Sequence, residues 1–401
     1  MSSSTAHASS DTVRVGTYLA VVQFFFALSW TVYVIFLPSL AAQAGIPKHA
    51  LPWILMLDQL IFVVADYLTG IASDRTARVV GKLGPWVLSI TLLSCAAFIA
   101  LPFVAPGGSP AALLVLTLLW AVTSSALRAP PMTLIGRYAA KPLQPRLVSL
   151  SLLGLGLAAA IAPYLTITLR GLDPRVPFVL SSVALALATL GIVAAERRLA
   201  AAPKPPVEVK ATPPAPTSLP GFLIAALLAA LAFQVHANLN SAALYLRHAP
   251  AAELPYLMPL FWVGFNLAML PAGMAVKRWG AVGVMGTAGG VAALSALAAQ
   301  YAGSLGLLIA LQAIAGAAWA GVLMSAFAAA LAIGSTGREG RISGLLSSAL
   351  ALASLARLSV VAMEWQKEPA TQSALGWWPA LGWCLGAALL LAAARSRTAR
   401  G

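Results

Sequence analysis

Residues 57–86 read LDQLIFVVADYLTGIASDRTARVVGKLGPW. The stretch begins inside an apolar run that nevertheless carries two carboxylates, Asp58 and Asp66. It leaves that run through Gly70, Ser73, Asp74 and Arg75, crosses a short basic loop with Arg78 and Lys82, and turns apolar again at Pro85-Trp86. An apolar run, a charged turn and a second apolar run describe a chain that crosses a hydrocarbon layer, turns at its surface and crosses back. The two acids then need partners or a polar cavity, because a lone charge in such a layer is costly.

The whole chain agrees with this reading. Its 401 residues are 60% hydrophobic and only 9% charged, against about 25% charged in an ordinary soluble domain. The net charge of +14 raises the question of nucleic acid, which the placement of the basic residues must answer. The two cysteines, Cys95 and Cys384, each sit in an apolar run with no metal-type spacing, so they read as packing residues. No cofactor or metal motif is present, and a Walker A phosphate loop is also missing. Residues 1–14 are small and polar and read as a disordered cytoplasmic tail. They lack the charged start of a secretory signal, so the apolar run that follows reads as a retained first helix.

A spanning helix needs about 20 mainly apolar residues. Twelve such segments can be drawn, at 15–40, 51–73, 84–106, 111–136, 147–168, 176–195, 220–244, 255–275, 281–301, 304–334, 343–363 and 375–394. The one long connection, 196–219, is a Pro-rich, charged cytoplasmic linker, and 395–401 is a basic cytoplasmic tail. The expected architecture is an all-α membrane protein with twelve transmembrane helices in two six-helix bundles, 15–195 and 220–394, and both termini cytoplasmic. With the N-terminus inside, the inner loops and tails hold eighteen Lys and Arg residues. The outer set is Lys48, Arg170, Arg175, Arg247 and Lys367. This is the positive-inside bias, and it accounts for the net charge without nucleic acid. The loop after helix 8, Lys277-Arg278-Trp279-Gly280, echoes the loop after helix 2, as a six-helix repeat requires.

At this point the residues resemble a known family. Gly70-x-x-x-Asp74-Arg75 between helices 2 and 3, with the 6 + 6 layout, looks like the major facilitator superfamily. The N-terminal half is closer to the glycoside–pentoside–hexuronide cation symporter branch. It gives Asp66-x-x-x-Gly70-x-x-Ser73-Asp74-Arg75-Thr76, then Gly81-Lys82-Leu83-Gly84-Pro85-Trp86, and Arg128-Ala129-Pro130-Pro131-Met132-Thr133-Leu134 in helix 4. Gly84 replaces the branch's usual arginine. Arg128 stands where the branch has an acid or amide that helps hold the coupling cation, so a fixed guanidinium there takes the place of a bound sodium ion. The resemblance implies a carrier whose helices 1, 4, 7 and 10 line a central path.

Two arginines, Arg128 and Arg357, fall inside spans. At about 1.5 Å per residue, Asp66 and Arg128 lie at matching depth, roughly 12 and 13 Å from the inner boundary, and are expected to pair. Asp58 and Arg357 lie roughly 10 and 9 Å from the outer boundary on the same scale. With helices 2 and 11 meeting across the halves, they form an expected outer latch, closed when the carrier faces inward. Either pair also fits a plain structural neutralisation. Gly70, Asp74, Arg75 and Lys82 are the expected gating residues beside Arg357, although positive-inside anchoring alone also explains the basic ones.

Candidate solute contacts are Gln23, Trp30 and Tyr33 on helix 1, Ser124 and Arg128 on helix 4, Gln234 and Asn238 on helix 7, and Gln312 and Trp319 on helix 10. Aromatic faces beside amides and hydroxyls suit a sugar-like solute, while helix-to-helix hydrogen bonding explains the same residues. For coupling to a proton or monovalent cation the order is Asp66, Asp58, then His236, the one histidine inside a span. The expectation is a monomeric secondary transporter, and not an enzyme, in a bacterial cytoplasmic (inner) membrane. It moves a small polar organic solute by alternating access. An organic-anion or drug carrier using Arg128 and Arg357 is the alternative, and a non-transporting sensor comes third.

Overall fold

The computed structural model describes residues 2–202, 218–335 and 337–398. Among them, twelve helices are long and apolar enough to cross a membrane. In chain order they are α1 (Val13–Gln43), α2 (Lys48–Thr76), α3 (Leu83–Gly107), α4 (Pro110–Tyr138), α5 (Lys141–Thr168) and α6 (Arg175–Ala201) in the first half. The second half holds α7 (Leu219–Tyr245), α8 (Ala251–Trp279), α9 (Ala281–Gln300), α10 (Leu305–Gly334), α11 (Glu339–Ala362) and α12 (Pro369–Ala393). The described residues contain no β-strand.

Each expected segment is present, and most gain a polar turn at one end. Helix α5 starts at Lys141 because Pro142 and Pro145 fall in first-turn positions, where a missing N–H costs nothing. The tails depart further from expectation. The helix carrying α1 begins at Ser2, inside the segment expected as a disordered tail. No glycine or proline interrupts residues 2–15, so the helix of the span propagates backwards. The helix of α12 likewise runs on to Thr398. The expected linker is helical from Glu196 to Ala201 and ends at Ser218, whose side chain accepts the Gly221 N–H and caps α7. Residues 203–217 lie outside the described residues.

In the first half α1 packs on α5 and α6, and α3 on α4 and α6. In the second, α10 packs on α8 and α9, and α12 on α7 and α9. The halves meet mainly along α2 with α11 and α5 with α8. Replacing each helix of the first pair by its equivalent six positions away in the other half (α2 by α8, α11 by α5) gives the second, as a repeat about one axis along the membrane normal demands. Small residues permit the close approach: a Cβ on Gly264 or Gly316 would run into backbone of the facing helix.

Candidate functional site

The α2–α11 crossing lies near the end that carries the basic loops, called here the basic end. Gly70 faces Gly340 and Gly344 so closely that a Cβ on Gly70 would collide with the Gly340 carbonyl oxygen. Asp74 then meets the first turn of α11. Its two carboxylate oxygens accept the N–H groups of Gly340 (2.7 Å) and Arg341 (2.8 Å). Those N–H groups have no partner within their own helix, and the helix dipole favours an anion there. Ser73 Oγ sits 2.7 Å from Thr133 Oγ1 of α4. Further from the basic end, Ser348 donates to the Val63 carbonyl at 2.7 Å. Arg75 and Lys82 are exposed in the loop.

Glu196, expected as part of the linker, instead anchors this loop. It is fully buried at the end of α6 and accepts N–H groups from Gly81 (2.9 Å), Leu83 (3.3 Å) and Gly84 (2.7 Å). The Tyr138 hydroxyl lies 3.1 Å from the same carboxylate and 3.0 Å from the Ala77 carbonyl. Any Cβ at Gly84 would press on Val193 and Glu196, which explains a glycine there in place of the branch's arginine. A lone acid between an apolar run and Arg197-Arg198 was the signal available in the sequence.

The expected Asp66–Arg128 pair forms. Arg128 Nη1 donates to Asp66 Oδ2 at 3.2 Å, and the guanidinium lies 3.6 Å from the centre of the Phe62 ring. Asp66 is fully buried, while the Arg128 side chain is 23% exposed. The position of Arg128 follows from a break in α4. Pro130 and Pro131 interrupt the ladder, so the helix tightens to a 3-10 turn at Ser125–Leu127 and restarts at Ala129. Gln23 of α1 answers the break by donating to the Leu127 carbonyl at 2.8 Å.

Asp58 and Arg357, by contrast, each bond within their own half. Tyr33 donates to Asp58 Oδ2 at 2.8 Å, and Asp58 Oδ1 has no partner among the described residues. Arg357 Nε donates to Gln234 Oε1 at 3.0 Å. The same oxygen accepts from Asn238 at 3.0 Å, and Gln234 Nε2 donates to Ser354 at 2.7 Å. No ion pair joins Asp58 to Arg357 among the described residues.

The Major Facilitator Superfamily model matches residues 19–240, more than half of the chain. The chain belongs to the major facilitator superfamily. None of the curated protein sequences matches it. Three solved facilitator-fold structures show how far the likeness reaches. One is the human organic anion transporter MFSD10 (TETRAN), with a TM-score of 0.69 at 16% identity over 96% of this chain and 99% of that one. A bacterial homologue of the iron transporter ferroportin, in its outward-facing state, gives 0.72 at 14% identity over 95% and 99%. The proton:xylose symporter XylE gives 0.69 at 12% identity over 96% and 95%. At such identities the likeness is one of fold.

Within this facilitator the other candidates divide by burial. Trp30 is part-buried and stacks on Trp120, with ring centres 5.9 Å apart, and edge-on to Phe62 at 5.7 Å. Tyr33 is buried, committed to Asp58 and to the Trp120 ring. Trp319 is buried flat on Phe233, centres 4.4 Å apart. Ser124 donates to its own helix at the Ala121 carbonyl. Gln312 and His236 are both fully buried and bond each other at 3.0 Å, at a π-turn over His236–Asn240. Ser241 closes that turn by donating to the His236 carbonyl. Of the candidates away from the basic end, six keep some exposure: Gln23, Trp30, Arg128, Gln234, Asn238 and Arg357.

Proposed function

We propose that this facilitator is a secondary transporter that moves a small polar organic solute by rocking its halves about the seam of α2–α11 and α5–α8. The observation that carries this reading is the asymmetry of the seam. Along α2 and α11, the basic end is tied by Asp74 to the α11 N-terminus. Beyond Val63–Ser348 the opposite charges Asp58 and Arg357 stay apart, each bonded in its own half. Ties at one end and separated charges at the other fit one state of an alternating carrier, whose other state would reverse them. Closing the far end brings Asp58 to Arg357, the latch expected from the sequence, while the Asp74 ties release. The positive-inside rule puts the basic end, the linker and both termini in the cytoplasm.

Between the carboxylates, geometry favours Asp58 over Asp66 for coupling. Asp66 already has a guanidinium as its counter-charge, the place a coupling cation takes in the resembling branch. Asp58 has one phenol donor and, among the described residues, no cation within 4.0 Å, so it is the carboxyl left without a counter-charge and open to a proton. The Trp30 face, backed by Trp120 and Phe62, supports contact with the C–H face of a sugar-like body. The reading places a monomer in a bacterial inner membrane, with no catalytic role.

The test is proton flux in proteoliposomes given a panel of pentoses, hexoses, glycosides and organic acids. We expect external alkalinisation with at least one solute, abolished by Asp58→Asn and reduced by Asp66→Asn. Solute entry indifferent to Asp58→Asn and to a pH gradient would remove proton coupling through Asp58.

A further inference from the structure

We infer that Arg357 is the docking point for an anionic group on the solute, so the cargo is a polar organic molecule bearing a carboxylate or phosphate. The inference rests on the carrier reading above and names its substrate class.

The argument is one of unmatched charge. Two arginines lie deep inside spans, away from the helix ends, and a guanidinium there needs a counter-charge or a polar cavity. Arg128 has one, since Asp66 and the Phe62 ring account for it. Arg357 has none, for no carboxylate lies within 4.0 Å of it among the described residues. The remaining acid in the interior, Asp58, lies on the other side of the seam, held by Tyr33 of its own half. Glu253, Glu339, Glu364 and Glu368 all lie at helix ends.

The polar neighbours of Arg357 position it without neutralising it. Gln234 takes the Nε–H, and its own amide is committed to Ser354. Among the described residues this leaves the two terminal nitrogens of the fork without a hydrogen-bond partner, the pair whose spacing matches a carboxylate or phosphate. The network also reaches open space. Asn238, bonded to the same Gln234 oxygen, is exposed, and Arg357 lies beyond Ser348, where α11 last bonds α2. A neutral sugar would leave this charge as unmatched as it is without solute.

The experiment uses the full chain in detergent with Asn238→Cys as the reporter and Cys384→Ser to remove the exposed native thiol. The probes are 2-sulfonatoethyl methanethiosulfonate, whose sulfonate stands in for the solute oxyanion, and neutral methyl methanethiosulfonate. We expect Arg357→Gln to lower the anionic-to-neutral rate ratio by about fourfold. That is the factor one unit charge gives from roughly 10 Å at an effective dielectric constant of about 40. Arg357→Lys should keep the ratio. In the reporter with Arg357 intact, raising the salt concentration should lower it, which is read without any charge-removing variant. A ratio unmoved by Arg357→Gln and by salt, or a cysteine that neither reagent reaches, overturns the proposal. The carrier reading has its own readout: Asp74→Asn should change the reaction rate with the neutral reagent by releasing the basic end. If that rate stays fixed, alternation fails while the anion result stands.

Discussion

At the scale of single residues, two buried carboxylates set the strongest expectations. Removing one member of Asp66–Arg128 leaves the other charged and unmatched, which costs about 3–5 kcal/mol for a buried pair. The exposure of Arg128 places Asp66 variants at the lower end, because water can reach a guanidinium left alone, whereas Arg128 variants strand a fully buried carboxylate. Asp66→Asn and Arg128→Gln should therefore each lower the thermal midpoint in detergent, and the double variant should recover part of the loss. Additive losses would show that the two side chains do not interact. Glu196 is the second case. Glu196→Ala strips acceptors from three N–H groups and from the Tyr138 hydroxyl. At roughly 1–3 kcal/mol for each buried group left unpaired, the variant should be among the most destabilised in the first half. Protease cleavage in the loop at Arg78 or Lys82 should rise with it, and an unchanged cleavage rate would mean that the loop holds its shape by other contacts.

At the scale of elements, the α2–α11 crossing is where side-chain volume controls conformation. The backbones touch at Gly70, Gly340 and Gly344, so a methyl group cannot be absorbed by a rotamer change. Gly70→Ala should push the basic end apart and shift the population toward the state open there. Spin labels at Val79 and Arg338, both exposed beside the crossing, should report a longer mean distance in the variant than in the parent chain. An unchanged distance with lowered stability would make the glycine a packing residue and not a hinge contact. This crossing also marks how far the elements were legible in the chain. The twelve spans could be placed because bilayer thickness imposes a length on apolar runs. Their charged ends, such as Lys141 on α5 and Glu196-Arg197-Arg198 on α6, could not, since helix continues there past the apolar run. Asp66 and Arg128 could be paired from depth along neighbouring helices alone. The facing of Tyr33, Gln312 and Trp319 could not be read, because a helix apolar on all sides carries no stripe to show which way it turns. Glu196 was hidden for a related reason, as its value depends on three N–H groups that lie more than a hundred residues away in the chain.

At the scale of the whole molecule, the separation of Asp58 from Arg357 was not legible either, since it depends on which end of the seam is closed. That separation has an electrical consequence. When the empty carrier closes at the far end, Arg357 meets Asp58 and the pair is neutral without a proton. When Arg357 instead carries the anionic group of the solute, Asp58 enters the closed state facing no free cation, because Arg128 stays on Asp66. Tyr33 is the one titratable group bonded to Asp58, and it acts as a donor. A carboxylate closed in beside a bound anion is costly unless it has taken up a proton. Each monoanion should therefore travel with one proton, and the transported charges cancel. In proteoliposomes, uptake of an organic acid selected by the panel should rise with an inside-alkaline pH gradient. It should barely respond to a potential set by a potassium gradient and valinomycin. Asp58→Asn should lose the response to pH yet keep solute exchange between two loaded compartments, because the amide mimics the protonated acid. Uptake that follows the potential and ignores the pH gradient would mean that the anion crosses without its proton, and Asp58 would then be a structural partner of Tyr33.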